Sequence, residues 1–313
     1  MTKLTVTASP HIQDGSSAGR IMLDVIIALM PALIAAVIFF GPRALLLTAG
    51  TVAAAVLAEM LSRRLMKRNT DSIFDLTAVI TGLLLALSLP VSMPLWMAVI
   101  GAAVAIVIVK QFFGGVGQNF VNPAIAGRLV LVFSYPAAMS AAWVAPFAYR
   151  GVDAVTSATP LALLAQGYDA GSFLSLFLGV HAGSMGETSI LALLLGGGYL
   201  VRRRVISPVI PLCFIGTTLL IVSLAGQNPL THLLTGSLVF VAVFMATDYV
   251  TSPITRKGRI IFGIGCGLIT AVIRLFGALP EGVSFAVIIM NILVPHIEHL
   301  TMPKAFGEKE GGS

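Results

Sequence analysis

The stretch Ile21-Met22-Leu23-Asp24-Val25-Ile26-Ile27-Ala28-Leu29-Met30-Pro31-Ala32-Leu33-Ile34-Ala35-Ala36-Val37-Ile38-Phe39-Phe40-Gly41 has Asp24 as its single ionisable side chain. About 20 apolar residues is the length at which an α-helix crosses the hydrocarbon of a bilayer. Lipid offers no partner to a backbone N–H or C=O, so such a run satisfies its own backbone only as a helix. Further runs of this kind follow. Ten spans are expected, at 21–41, 43–62, 73–91, 94–113, 121–136, 186–201, 207–225, 233–250, 258–277 and 283–301. The fifth is short and contains proline, so a break or tilt is expected there. Continuous apolar runs lack the alternation of a transmembrane β-barrel. The expected fold class is therefore an all-α polytopic membrane protein.

Composition points the same way. Hydrophobic residues make up 57% of the 313 and charged residues only 10%, with a mean hydropathy of +0.98. A soluble domain carries about 25% charged residues to cover its surface, so that class is excluded. The segment 1–20 is polar and has no apolar core, so no cleavable signal peptide is expected. Cys213 and Cys266 both fall inside apolar runs, which argues for packing and against a disulfide or a cluster framework. Of the five histidines only His296 and His299 lie at helical spacing, near a span end where an interfacial position suits them. Neither a metal site nor a catalytic triad nor a phosphate loop is present. No residue is expected to be catalytic in itself, and any redox chemistry must be borrowed from a cofactor.

Lysine and arginine set the orientation. With the N-terminus inside, the inner side receives Lys3, Arg20, the Arg63-Arg64/Lys67-Arg68 cluster, Lys110, Arg202-Arg203-Arg204, Arg256-Lys257/Arg259, Lys304 and Lys309. That is 15 of the 19 basic residues. Arg43, Arg150 and Arg274 fall outside, and Arg128 lies within a span. The net charge of +6 thus records orientation in a lipid bilayer and does not point to nucleic acid. The expected organisation is a cytoplasmic segment 1–20, five helices in 21–136, an external loop 137–185, five helices in 186–301 and a cytoplasmic tail 302–313. Both termini are cytoplasmic in this reading. The chain also looks doubled. Leu76-Thr77-Ala78-Val79-Ile80-Thr81-Gly82 is echoed by Leu230-Thr231-His232-Leu233-Leu234-Thr235-Gly236, and Asn119, Pro123 and Ile125 by Asn291, Pro295 and Ile297. Paired spans of opposite direction imply two inverted five-helix repeats, an architecture that places binding sites between its halves.

Four features stand out against this hydrocarbon background. In Asp153-Ala154-Val155-Thr156-Ser157-Ala158-Thr159-Pro160, Thr159 reads as a helix N-cap and Pro160 as the first helical residue. The first-turn amides there suit a phosphate, although Thr-Pro caps also occur with no ligand. Gly114-Gly115-Val116-Gly117-Gln118-Asn119-Phe120-Val121-Asn122-Pro123 combines glycines that allow close backbone approach with two amides. Gly115, Gly117, Asn119 and Asn122 are candidates for contacting a ring or an ion, and a plain inner loop is the alternative. Among the acids Asp24, Glu59, Asp75 and Asp248, all near or in the membrane, Asp248 is the ion-pathway candidate. It lies beside Thr247, Thr251, Ser252 and Pro253, so it either binds a cation or caps a broken helix. Gly263 and Gly267, and the Gly196-Gly197-Gly198 run, read as close helix packing.

Together these residues resemble a family. Ser9-Pro10-His11-Ile12, Gly114-Gly115-Val116-Gly117-Gln118-Asn119, Asn122-Pro123, Asp153…Thr159-Pro160-Leu161, Thr247-Asp248 and Asn291…Val294-Pro295 are similar to the D subunit of the Rnf complex, over essentially the whole chain. The Rnf complex is an ion-pumping ferredoxin:NAD oxidoreductase. Its D subunit is homologous to the B subunit of the sodium-pumping NADH:quinone reductase. The resemblance implies FMN joined through its phosphate to a threonine in the motif Asp-x-x-(Ser/Thr)-(Gly/Ser/Ala)-Ala-Thr. That motif maps onto Asp153, Thr156, Ser157, Ala158 and Thr159, with Ser157 where glycine is common. It makes Thr159 the acceptor, on the external side, and Asp153 a recognition element for a flavin transferase. It further implies a non-covalent riboflavin, for which the Gly114–Pro123 segment is the candidate, and coupling to Na⁺ or H⁺. Implied partners are a second flavinylated subunit, two small membrane subunits, and iron–sulfur and NADH-handling subunits in a bacterial or archaeal cytoplasmic membrane. The B-type quinone reductase subunit, which carries a longer segment before its first span, is the nearer alternative. A flavin-free inverted-repeat solute channel is the more distant one.

Overall fold

The computed structural model describes residues 18–68, 75–140, 143–150, 158–277 and 282–303. Asp153, Thr156 and Ser157 of the acceptor motif lie outside these, as do Ser9-Pro10-His11 and Lys304 and Lys309. Among the described residues there is no strand. The helices are α1 (Ala18–Phe40), α2 (Pro42–Leu65), α3 (Thr77–Leu87), α4 (Leu95–Ala103), α5 (Pro123–Ser134) and α6 (Pro136–Ser140). They continue as α7 (Pro160–Ala165), α8 (Phe173–Leu178), α9 (Ile190–Arg202), α10 (Val209–Leu224), α11 (Pro229–Leu234), α12 (Leu238–Phe244), α13 (Arg256–Phe276) and α14 (Val283–Thr301). α4 runs on as a π-helix over Val104–Gln111.

By length and composition, α1, α2, α13 and α14 are long and apolar enough to cross a membrane. Shorter apolar helices stand where the third, fourth, fifth, sixth and seventh spans were expected. The eighth, expected to be continuous over 233–250, is instead broken into α11 and α12 and ends at Phe244. Proline and asparagine set these boundaries. Asn122 and Asn228 each cap a helix whose first residue is proline, accepting first-turn N–H groups at 3.0 Å. At the break between α11 and α12, Gly236 takes φ +69°, a conformation that glycine adopts without a Cβ penalty. The carbonyls freed there are taken by Arg274, whose guanidinium donates to His232 O at 2.7 Å and Thr235 O at 3.1 Å. A cation at a helix C-terminus also meets the negative end of the helix dipole.

The doubling is plain in how the helices pack. α2 lies against α3 and α4, and α4 against α5; five spans later α10 lies against α11, α12 and α13, and α13 against α14. α2 and α4 run parallel, since Gly50 meets Leu95 at one end and Glu59 meets Lys110 at the other. α10 and α13 do the same, with Gly263 against Ile210 and Cys213 and Gly267 against Phe214 and Thr217. Between the halves, equivalent helices meet in opposite directions. Asp24 of α1 pairs with Tyr199 and Arg203 while Ala28 meets Gly196, so α1 and α9 are antiparallel. Asn122 bonds Asn291 and Arg128 reaches Ser284, so α5 and α14 are antiparallel too. That is the geometry of an inverted repeat.

The sequence echoes themselves fall in unlike settings. Pro123 opens α5 whereas Pro295 sits inside α14. Leu76–Gly82 starts a helix whereas Leu230–Gly236 spans a break. The repeat is kept in packing and not in local structure, because each half breaks a different helix.

At the centre lie α3 and α12, the third and eighth spans, buried along nearly their whole length. Around them the longer helices present leucine, isoleucine and phenylalanine outward, as a lipid-facing surface does. α1 and α9 approach each other closely at Gly196. A Cβ on Gly196 would lie 2.0 Å from the backbone oxygen of Ala28, while one on Gly198 would meet nothing within 4 Å. Gly196→Ala must therefore push the two helices apart and should cost about 1–3 kcal/mol. Gly198→Ala should leave stability unchanged or raise it by up to about 1 kcal/mol. Thermal unfolding of the two variants in detergent checks the contrast; equal melting temperatures would refute the assigned contact.

Candidate functional site

Thr159 caps α7 as its Thr-Pro sequence suggests. Its backbone is extended (φ −70°, ψ 150°) and its Oγ1 accepts from Ala162 N–H at 3.2 Å. The residue is 8% exposed, with exposed Ala158 just before it. Among the described residues, its hydroxyl hydrogen has no acceptor. α7 rests on the body of the protein through Leu161, which packs with Arg274 against the Gly236 turn. α7 thus sits at the Arg274 end of α13, and Arg256, Lys257 and Arg259 mark the other end.

A second locus lies where the N-terminal half of α3, the end of the π-helix, the start of α5 and the residues after α12 converge. A cavity of about 130 Å³ opens there, with Thr77, Thr81, Lys110, Asn119 and Asp248 as polar lining in an otherwise mostly apolar wall. Gly117, Asn119 and Asn122 all border it, so the structure brings most of the glycine–asparagine segment beside Asp248. Gly115 does not border it; a Cβ there would face Arg63 and Gln111.

Asn122 is heavily committed to protein contacts. Its Oδ1 accepts from Ala124 N and Ile125 N at 3.0 and 3.2 Å, and its Nδ2 donates to Met245 O at 3.1 Å. Its own N–H donates to Asn291 Oδ1 at 3.2 Å, and Asn291 Nδ2 donates to Thr251 O at 2.8 Å. This pair ties the break before α5 to α14 and to the residues after α12. Asn119 makes one long bond, to Val121 O at 3.4 Å, and its amide remains the more available of the two.

Asp248 makes the capping contacts that one of its two readings expects. Its carboxylate accepts from Val250 N at 3.4 Å and Thr251 Oγ1 at 3.2 Å, which caps the turn after α12, and it also borders the cavity. The Tyr249 hydroxyl ties this turn to Val205 O in the α9–α10 connection.

The feature that the sequence did not disclose is the pairing of Glu59 with the π-helix. Lys110 Nζ lies 2.9 and 3.0 Å from the two Glu59 oxygens and donates to Thr77 Oγ1 at 2.7 Å. Gln111 Nε2 donates to Glu59 Oε1 at 2.8 Å. Glu59, Lys110 and Gln111 are all buried. Successive α-helical residues point about 100° apart and do not share a partner easily. The wider π turn lets Lys110 and Gln111 both reach one carboxylate, and such turns recur at functional sites. Glu59 and Lys110 were each visible as charged residues of neighbouring spans, but 51 residues of separation hide the pairing.

Comparison with known proteins places the chain among membrane redox subunits. The family model described as NQR2, RnfD, RnfE matches residues 5–307. The chain is 46% identical to the D subunit of the Na⁺-translocating ferredoxin:NAD⁺ oxidoreductase complex of Acetobacterium woodii, covering 97% of this chain and 95% of that one. It is 40% identical to the D subunit of the proton-translocating ferredoxin:NAD⁺ oxidoreductase complex of Clostridium ljungdahlii, over 97% and 96%. It is also 40% identical to the D subunit of the ion-translocating oxidoreductase complex of Stutzerimonas stutzeri, over 95% and 94%.

Removing one partner of a buried ion pair strands the other in low dielectric, at a cost of roughly 3–5 kcal/mol, whereas replacing both with apolar residues of similar volume is close to neutral. Glu59→Met and Lys110→Met should each lower the melting temperature strongly, and the double variant should recover most of the loss. Additive effects in that cycle would show that the two residues are not coupled.

Proposed function

The chain belongs to the NQR2, RnfD, RnfE family, and from that premise we propose that it is the D-type membrane subunit of an ion-translocating ferredoxin:NAD⁺ oxidoreductase complex. In this reading it relays electrons between ferredoxin and NAD through FMN held covalently on Thr159, while the complex moves Na⁺ or H⁺. The observation that carries the proposal is 46% identity, over 97% of the chain, to a protein of that name. The chain is not catalytic alone. It works with a second flavinylated subunit, two small membrane subunits and iron–sulfur and NADH-handling subunits, in the cytoplasmic membrane, after a flavin transferase has acted on it.

The geometry at Thr159 suits an ester. Its Oγ1 serves the helix only as an acceptor, through Ala162 N–H. Exchanging the hydroxyl hydrogen for a phosphoryl group therefore leaves the cap intact. Exposed Ala158 leaves an approach to the oxygen. Bound there, FMN supplies reversible electron transfer, and the chain supplies position and electrostatic surroundings. α7 stands at the end of α13 away from Arg256, Lys257 and Arg259. This supports an external Thr159 and cytoplasmic basic clusters under the positive-inside rule.

A riboflavin at the glycine–asparagine segment finds less support. Sites enclosing small organic molecules usually measure about 300–1,000 Å³, and the cavity there holds about 130 Å³. A tricyclic ring does not fit it as it stands. The space and its oxygen donors, from Thr77, Thr81, Asn119 and Asp248, suit a hydrated ion, which keeps Asp248 in the proposed ion pathway.

Co-expression with a flavin transferase should give a band that fluoresces under ultraviolet light on a denaturing gel, lost in Thr159→Ala and weakened in Asp153→Ala. A fluorescent band that survives Thr159→Ala unchanged would sink the assignment. Ser172, the exposed cap of α8, provides the topology test. A cysteine placed there should react with a membrane-impermeant thiol reagent from outside the cell; labelling only from the inside would reverse the orientation.

A further inference from the structure

α9 and α10 both pack on α12 and leave a groove between them. Its volume is about 330 Å³, and every residue that lines it is apolar. Leu194 and Val201 of α9 and Leu212 and Ile215 of α10 form its walls, over a floor of Val239 and Val243. A Cβ on Gly198 would meet nothing within 4 Å, so the groove is open along α9. Phe173 and Phe177 of α8, stacked with ring centroids 6.0 Å apart, also line it. α8 adjoins the start of α9, where a Cβ on Gly179 would touch Thr188 and Ser189. α8 thus stands at one end of the groove.

The other end changes character. Val201, Ile206 and Pro208 also border a second cavity of about 370 Å³, whose polar lining includes Arg204, Ser207, Tyr249, Ser252 and Arg259. Among the described residues no acid lines it; Asp248 turns its carboxylate to its own turn and to the neighbouring cavity. Arg203 is spent on Asp24, whereas Arg204 and Arg259 have no acidic partner among the described residues. Arg259 Nε donates to Pro253 O at 3.1 Å, which orients the guanidinium and leaves its terminal nitrogens for another partner. Arg204 follows α9 where Val205 N–H returns to Leu200 O at 2.9 Å and its own N–H to Val201 O at 3.0 Å. That helix ending usually takes glycine, because its residue is left-handed. Arg204 adopts φ +57° there, so a cation stands where glycine would fit with less strain. α10 starts beside the same cavity and turns the positive end of its dipole toward it.

We propose that the groove and the basic cavity together seat one anionic phospholipid, its phosphate at Arg204 and Arg259 and an acyl chain between α9 and α10. Guanidinium groups pair with phosphate in a two-pronged geometry. Basic pockets beside membrane helices are a means of selecting anionic lipid. Length decides the occupant. From Ile190 to Val201, the stretch of α9 that lines the groove, the helix rises about 16 Å. The hydrocarbon core is roughly 30 Å thick, so this is the depth of one leaflet. A lipid chain fits that depth, whereas a membrane-spanning helix of a partner would need the whole thickness and would meet α8. The leaflet is the cytoplasmic one in the orientation proposed above; the binding rests on neither that orientation nor the flavin.

The test uses the full chain, purified in detergent and stripped of lipid. Native mass spectrometry follows titrations with phosphatidylglycerol, with zwitterionic phosphatidylcholine and with inorganic phosphate, and thermal unfolding is read alongside. One phosphatidylglycerol should bind saturably, about tenfold or more tighter than phosphatidylcholine, and raise the melting temperature. Arg204→Gly and Arg259→Gln should each weaken its binding about fivefold. Without lipid, Arg204→Gly should melt no lower than the wild type, which separates lost binding from lost folding. Gly198→Leu, which fills the groove, should weaken phosphatidylglycerol binding with both arginines in place. Equal affinity for the two lipids would mean an ordinary lipid-facing surface and would overturn the proposal. So would binding that survives Gly198→Leu unchanged, or a rise in melting with inorganic phosphate equal to that with lipid, since either leaves only a bare anion site. In intact membranes, a photoreactive benzoylphenylalanine at Leu212 should cross-link to phospholipid. Cross-linking to a protein subunit in its place would give the groove to a partner helix and overturn the proposal equally.

Discussion

A helix broken inside a bilayer exposes backbone donors and acceptors where no water can reach them, and each orphan there costs several kcal/mol. The breaks in this protein are consequently supplied with their own partners. Asn122 caps the start of α5 and is itself gripped by Met245 O and Asn291. Arg274 crosses from α13 to hold the last carbonyls of α11. Asp248 gathers the turn after α12. The same residues then border the cavity or carry the surface under Thr159. The chemistry that makes broken helices tolerable and the chemistry available for function are one set of side chains.

The inverted repeat distributes these breaks about a common centre. Its third and eighth spans are short, buried and surrounded, so they contact little lipid and can deviate from a simple crossing. The outer helices α1, α2, α13 and α14 carry the apolar surface. Between the halves the contacts are antiparallel and specific, through small residues at Gly196 and Ala28 and through polar pairs at Asp24–Tyr199 and Asn122–Asn291. Association of helices in lipid draws on such close packing and interhelical hydrogen bonds, since the lipid is as apolar as leucine. The Glu59–Lys110–Gln111 group has the corresponding role within the first half, and its π turn is the local distortion that makes the shared carboxylate possible.

Relatives of comparable identity are named for different ions, Na⁺ in Acetobacterium woodii and protons in Clostridium ljungdahlii. One family therefore includes subunits of complexes named for either ion. Thr77, Thr81 and Asp248 are oxygen-bearing residues that border the cavity here.

Length and hydropathy alone determined that this is a helical membrane protein, because a run such as Ile21–Gly41 has no other way to satisfy its backbone in lipid. Basic clustering and the Thr159-Pro160 and Asn122-Pro123 pairs were equally legible, since capping and the positive-inside bias act over a few residues. The division of the eighth span at Gly236 was not. An apolar run reads as continuous until a distant Arg274 takes up the carbonyls that a break sets free. Nor could spacing reveal that Lys110 and Gln111 share Glu59, that Gly115 turns away from the cavity its neighbours border, or that residues 182–189 form a buried polar loop. Local sequence encodes what the backbone requires of its immediate neighbours. Which polar groups finally satisfy one another was decided only when helices far apart in the chain came together.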